Sequence, residues 1–280
     1  MKDSPQAAAT DPTSKGDAPW VDCHAHVYTL SMPLAAGAWH KPEHEAPVED
    51  FIATLDAHGV DRAVLAAASI HGTFNDYAID ACRRYPRLRT TVIIEPDTDE
   101  PILRQMARDG VVGVRLQWRN RQDIPDLRSP AYQRLLGRIA GLGWHVQLHD
   151  DSARLPAHLD ALEAAGVKIV VDHFGRPDPV LGIGCPGFQR LLRSLEAGRT
   201  WVKLSAGFRL ASSELAVQCA QELLKHGGPQ RLVWGSDWPF TAFESTTRYG
   251  QALDSLARLV PDPVARRQIG SQTPLELYFS

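Results

Sequence analysis

The chain has 280 residues, 44% hydrophobic and 22% charged, with a formal net charge of −3. That balance suits a globular protein with a sizeable core; it excludes the basic surface of a nucleic-acid binder and a polybasic membrane patch. No apolar run is long enough to span a bilayer, and the four cysteines are scattered without C-x-x-C spacing, which implies free thiols in a reducing compartment, the cytoplasm.

Residues 1–18 are rich in Ala, Asp, Ser, Pro, Thr and Lys and carry no apolar segment of a secretory signal. They are expected to form a disordered tail ahead of a single domain over 19–280. The run W-V-D-C-H-A-H at 20–26 then reads as a strand. Period-two alternation is expected to place Asp22, His24 and His26 on one face and Val21, Cys23 and Ala25 on the other. Two imidazoles and a carboxylate on a buried strand are costly unless they bind something or do chemistry. The bland alternative is a pair of satisfied histidines. Residues 28–47 form a loop rich in Pro, His and Gly, long enough for a lid or a binding loop.

From residue 48 the chain alternates. Helical spacing at 48–58 precedes an apolar run at 63–68, and 75–85 precedes 90–95. The pairs 100–108 with 111–117, 131–140 with 144–149, and 156–165 with 168–173 repeat the pattern. Helices at 188–197 and 213–225 precede strands at 201–205 and 232–236, and helices at 249–259 and 263–269 close the chain. Glycines at 59, 110, 166 and 198 mark helix ends. Strands alternating with helices in this number predict a (β/α)8 TIM barrel. An open doubly wound sheet would want a Gly-rich turn after its first strand, where His24-Ala25-His26 stands instead.

Active sites of such barrels lie at the C-terminal ends of the strands. The polar residues expected there are His24 and His26, Ser69, Glu95, Arg115 and Gln117, Gln147 and His149, His173, Lys203 and Ser205, and Asp237. Intervening residues such as Val112, Val114, Leu116, Val146, Leu148, Val170 and Val202 are expected to face the helices. Histidines and carboxylates gathered at one end of the strands point to catalysis.

Three motifs, V-D-C-H-A-H at 21–26, V-D-H-F-G-R-P at 171–177 and W-G-S-D-W-P at 234–239, resemble the signatures of the amidohydrolase superfamily. More narrowly they are similar to its 2-pyrone-4,6-dicarboxylate lactonases and related sugar and muconolactone lactonases. The resemblance covers nearly all of the chain after residue 19 and implies the same barrel. It also implies substrate-carboxylate binding by Arg115 and Arg121 in G-V-R-L-Q-W-R-N-R at 113–121, a third such arginine at Arg209, and a polar substrate contact at Ser69.

Lactone hydrolysis needs an activated water, a polarised ester carbonyl and a sink for the developing charge. Asp237 is the expected general base, with His24, His26 and His173 polarising the carbonyl. By resemblance the pyrone lactonases work without a metal and other members use one. The bridging Lys or Glu of the two-metal members is replaced on strand four by Arg115 and Gln117, which argues against two ions. His149 stands where metal-binding members carry a histidine and the metal-free lactonase a tyrosine. His24, His26, His149 and Asp237 therefore form a candidate set for one Zn2+; the other reading makes His149 a substrate contact. An inward Arg115 calls for an anionic partner, either a substrate carboxylate or sulfonate or an internal carboxylate such as Glu95. The expectation is a hydrolase of an anionic lactone from aromatic-acid catabolism, with no nucleic-acid or membrane partner, as a monomer or homo-oligomer. A metal-dependent decarboxylase, a sugar-acid lactonase and a catalytically silent binding barrel are the alternatives.

Overall fold

Short apolar runs separated by amphipathic segments bury both faces of a parallel sheet, because helices must cover one side of every strand. The computed structural model describes residues 18–280, so the tail expected over 1–18 lies outside them but for Ala18. Among the described residues eight strands form one parallel sheet in chain order: β1 (Val21–Ala25), β2 (Arg62–Leu65), β3 (Leu88–Val92), β4 (Val111–Gln117), β5 (His145–His149), β6 (Lys168–Val171), β7 (Thr200–Ser205) and β8 (Leu232–Gly235). Between them run α1 (Val48–Ala57), α2 (Asp76–Arg84), α3 (Glu100–Arg108), α4 (Pro130–Gly141), α5 (Leu155–Ala164), α6 (Pro186–Glu196) and α7 (Ser213–Gly227). The chain ends in α8 (Tyr249–Leu259), α9 (Pro263–Arg267) and α10 (Thr273–Tyr278). Asp237 N donates to His24 O (2.8 Å) and His26 N to Trp238 O (2.7 Å), joining the last strand to the first. The fold is a (β/α)8 barrel.

The main core lies between strands and helices, where Val114, Leu116, Val146, Leu148 and Val202 pack with the apolar stripes of the helices. In α1 the spacing of Val48, Phe51 and Leu55 puts all three on the buried face, and Phe51 stacks on Trp238 with ring centroids 5.0 Å apart. Gly110 (φ 96°) and Gly198 (φ 87°) take the left-handed conformation that lets the chain leave α3 and α6 and turn at once into a strand. The base of the barrel is filled by Val21, Cys23, Val64, Val233 and Tyr278.

Several expectations change. The register of β1 against β2 slips between Asp22 and Ala25. Val21 and Cys23 therefore point into the barrel, while the Asp22 carboxylate turns outward and accepts from Tyr249 OH of α8 (3.0 Å). Asp22 does not share a face with His24 and His26. A similar slip between Thr90 and Thr91 turns Val112 toward the interior cluster, and Val170, in register with the inward Gln147, also faces inward. β3 ends at Val92, which leaves Glu95 exposed in the following loop. The closing helix expected at 263–269 continues through a π-turn at Gln268–Gln272 into α10. All four cysteines are free and buried, and no described helix is long and apolar enough to cross a membrane.

β8 lies close against β1. A Cβ at Gly235 would stand 2.6 Å from His24 Cβ and 2.8 Å from His24 N. Gly235→Ala is expected to cost about 1–3 kcal/mol, as overpacking does, and to displace His24. Thermal unfolding read beside kcat checks this, and an unchanged kcat would show that His24 does not move.

Candidate active site

Where β8 ends, the chain bends sharply and Asp237 takes a positive φ of 67°, as does His173 after β6 (φ 52°). Strained non-glycine backbone of this kind concentrates at functional sites. The bend aims the Asp237 carboxylate across the mouth of the barrel. Its Oδ2 accepts from Arg209 Nε (2.6 Å), and its Oδ1 lies 3.5 Å from His24 Nε2, 3.6 Å from His26 Nε2 and 3.9 Å from His173 Nε2. Burial alone would raise the Asp237 pKa, but the Arg209 guanidinium beside it outweighs burial and holds the group well below the ordinary carboxylate range. Burial is also the main reason that His24 falls to about 3 and that His149 and His173 fall well below the ordinary imidazole value. The mouth thus holds one carboxylate, ionised, among three neutral imidazoles.

The ring partners fix what each histidine can offer. His26 Nδ1 faces the Ala66 carbonyl at 2.7 Å, and a carbonyl only accepts, so a hydrogen sits on Nδ1 and the neutral ring has its lone pair on Nε2. His24 Nε2 is 3.2 Å from that atom. His173 Nδ1 is bonded to Ser205 Oγ (2.8 Å). His24, His26 and Asp237 bring ligand atoms within 4.8 Å of one another, a nitrogen and oxygen set that fits a single divalent ion with an open position. His149 does not join them: its Nδ1 lies 3.3 Å from Arg115 Nη2, and its buried Nε2 has no hydrogen-bond partner.

Beneath the mouth lies Asp172, fully buried. Arg115 Nε and Nη2 donate to its Oδ2 (3.2 and 3.0 Å), and Gln147 Nε2 donates to both oxygens (2.9 Å each). Its Oδ1 lies 3.2 Å from His24 Nδ1 and 3.5 Å from Lys203 Nζ. The internal partner of Arg115 is therefore Asp172 and not Glu95.

A cavity of about 330 Å³ opens above these groups, walled by His26, His149, Arg115, Arg209 and Asp237. Ser69 and Trp39 line it too, the indole Nε1 donating to Ser69 Oγ (3.2 Å), so the 28–47 loop closes one side. Arg119 and Arg176 line the wall as well, both donating to Asp151 Oδ1 (3.1 and 3.3 Å). Arg121 is exposed and lies outside this lining. A larger cavity, about 510 Å³, lies behind β7 and β8 against α7 and α8, lined by hydroxyls, apolar groups, Gln251 and Arg258, without converging imidazoles or carboxylates. Volume does not decide the site; chemistry does.

The sequence profile of the Amidohydrolase family matches residues 21–279, which include every motif that builds this mouth. The chain belongs to the amidohydrolase family. Among its relatives, the 4-sulfomuconolactone hydrolase of Rhizobium radiobacter is 30% identical over 267 residues, covering 92% of this chain and 89% of the relative. A Pseudomonas putida protein assigned as a 2-pyrone-4,6-dicarboxylic acid hydrolase superposes with a TM-score of 0.87 at 39% identity, over 94% of this chain and 98% of that one. An Acinetobacter baumannii protein given the same assignment, solved with citric acid bound, superposes at 0.89 with 33% identity over 93% and 99%.

For this amidohydrolase, sequence reasoning passed over Asp172, Arg119 and Arg176. Asp172 and Arg176 stand inside V-D-H-F-G-R-P, where a carboxylate in a strand otherwise apolar was itself a signal. Arg119 is two residues from Arg121, and only the path of the loop after β4 chooses between them.

Proposed function

We propose that this amidohydrolase opens an anionic lactone of the pyrone dicarboxylate or muconolactone type by attack of water on the ester carbonyl. The observation that carries this reading is the Asp237 carboxylate set among the His24, His26 and His173 rings and facing a wall of Arg119, Arg176 and Arg209. Arg119 and Arg176 share the single carboxylate of Asp151, and Arg209 is paired with Asp237, so three guanidinium groups meet two carboxylates and one positive charge is unmatched. A carboxylate or sulfonate on the ring answers that excess.

In this scheme the arginines hold the ring with its carbonyl toward the imidazoles. Asp237 accepts a proton from water as the water oxygen bonds to the carbonyl carbon. The ring C–O bond then breaks and the proton passes from Asp237 to the leaving oxygen. The unpartnered His149 Nε2 lines the cavity where charge builds on the carbonyl oxygen. Arg209 keeps Asp237 a weak base before substrate binds; an anionic substrate group that draws the guanidinium away raises its basicity when the ring is in place. A divalent ion held by His24, His26 and Asp237, for which Zn2+ suits the donors best, would lower the pKa of water at the open position.

The test is turnover on a panel of carboxylated, sulfonated and neutral lactones, with carbon dioxide release followed in parallel. Hydrolysis confined to anionic lactones is expected. Carbon dioxide release, or no turnover of any lactone, would overturn the reading. Elemental analysis with a chelator titration is expected to return one equivalent of metal, its removal abolishing turnover. Arg176→Gln is expected to raise KM for a dicarboxylated lactone about 10-fold, the worth of one charge-assisted contact, with kcat little moved. Arg121→Gln serves as the control that leaves KM alone.

A further inference from the structure

We propose that Asp172 sets opposite tautomers in two imidazoles of this site, holding His24 as Nδ1–H directly and His149 as Nε2–H through Arg115. The inference concerns the site read above as a lactonase, but neither its argument nor its decisive test uses turnover.

A carboxylate only accepts hydrogen bonds and a guanidinium only donates them. Asp172 is fully buried, and its Oδ1 lies 3.2 Å from His24 Nδ1. A bare lone pair turned to a carboxylate oxygen in the interior would repel it, whereas an N–H makes a charge-assisted bond. The competing donor is Lys203, whose Nζ lies 3.4 Å from His24 Nδ1 and 3.5 Å from Asp172 Oδ1. Anionic carboxylate is the better acceptor for an ammonium than neutral imidazole, so the Lys203 hydrogens turn to Asp172. His24 Nε2 is left with its lone pair, 3.2 Å from the lone pair of His26 Nε2 and 3.5 Å from Asp237 Oδ1, three acceptors that repel one another unless a cation or the hydrogens of a water stand between them.

On the other flank, Arg115 is fixed by its two bonds to Asp172 Oδ2 and by Nη1 donating to Ala67 O (2.7 Å). Its remaining contact is Nη2 with His149 Nδ1 at 3.3 Å. Arginine does not give up its proton in a protein, so His149 Nδ1 must accept and the ring hydrogen must sit on Nε2. That Nε2 is buried and without a partner, an orphan donor whose desolvation is uncompensated until something accepts from it. One carboxylate thereby makes one imidazole an acceptor for water or a cation and another a donor to an oxygen. Asp172 and Arg115 act through these rings and are positioning residues; Arg115 has its fork occupied and is not the anchor of a substrate carboxylate.

Long-range 1H–15N correlation on protein labelled at histidine nitrogen separates the two neutral tautomers, because a hydrogen-bearing ring nitrogen and a bare one resonate far apart. His24→Gln and His149→Gln assign the signals. The wild-type spectrum is expected to show His24 with hydrogen on Nδ1 and His149 with hydrogen on Nε2. His24 with hydrogen on Nε2, or His149 with hydrogen on Nδ1, overturns the proposal whether or not any variant folds. In Arg115→Met, His149 is expected to gain the Nδ1–H form while His24 is unchanged, and an unaltered His149 signal again overturns it. With a lactone that turns over, Arg115→Met is expected to lower kcat on the order of 10²-fold, as loss of one oxyanion donor does, at nearly constant KM. A rise in KM at constant kcat would instead make Arg115 a substrate anchor.

Discussion

Asp237→Asn is expected to lower kcat on the order of 10³-fold while the protein keeps its fold and unfolds within a few degrees of the parent. Asparagine keeps the shape and one acceptor oxygen but cannot take a proton from water, and proton transfer by a placed side chain contributes about 10²–10⁴-fold. Stability should change little, because asparagine keeps an acceptor oxygen for Arg209, whose guanidinium is also held by Thr241 O and by the rings of Phe208 and Phe243. Single-turnover kinetics with circular dichroism on the same samples would check both halves. Parental turnover in the variant would remove Asp237 from the chemistry and leave the imidazoles to activate water unaided.

Asp172→Asn is expected to be the most destabilising single change in the barrel. The substitution leaves Arg115 and Lys203, both buried, without their shared counter-charge, and stripping one partner from a buried pair costs about 3–5 kcal/mol. At about 2–4 °C per kcal/mol for a domain near this size, the midpoint should fall by on the order of 10 °C. Adding Lys203→Met to Asp172→Asn should recover part of the loss, because one of the orphaned cations is gone. Burial acts to raise the Asp172 pKa, but His24, Lys203 and Arg115 prevail and hold it well below the ordinary value. A carboxylate depressed in the folded state stabilises fully above its unfolded pKa of about 3.9, and that share is lost as pH falls toward the folded value. The gap between parent and variant should therefore be constant from neutrality down to about pH 5 and narrow below it. Equal midpoints at pH 7 would show that Asp172 is not holding the two cations.

The barrel was legible because each βα unit repeats the same exchange between a short apolar run and a 3.6-residue stripe. The gathering of histidines and Asp237 at the mouth was legible because they end or follow strands that are otherwise apolar. What the sequence could not show lay in register and loop path. A single slipped residue in β1 turned Asp22 from the face of His24 to the helix layer, and alternation read as strictly period two has no term for a bulge. The partner of Arg115 was sought in Glu95, on the neighbouring strand; Asp172 reaches it across the barrel interior, a contact that local spacing does not encode. Arg119 and Arg121 differ only in where the loop after β4 points them, so composition could promise arginines in the wall without saying which. α10 lies beyond the closing helix that spacing placed at 263–269; its Pro274 stands in the first turn, where proline is at home.

His24 and Asp237 meet where the first strand joins the last, and the bond that ties Ser236 N to the Asp22 carboxylate there spans 214 positions of the chain. The arginine-lined wall draws on intermediate units, but Asp237 reaches the histidines only after the eighth strand has docked. If Asp237 takes the proton as proposed, a chain that has folded only its first seven units is inert, and loop closure of this length places assembly of the mouth late in folding. Hydrolytic competence is in this sense a report that the ring has closed.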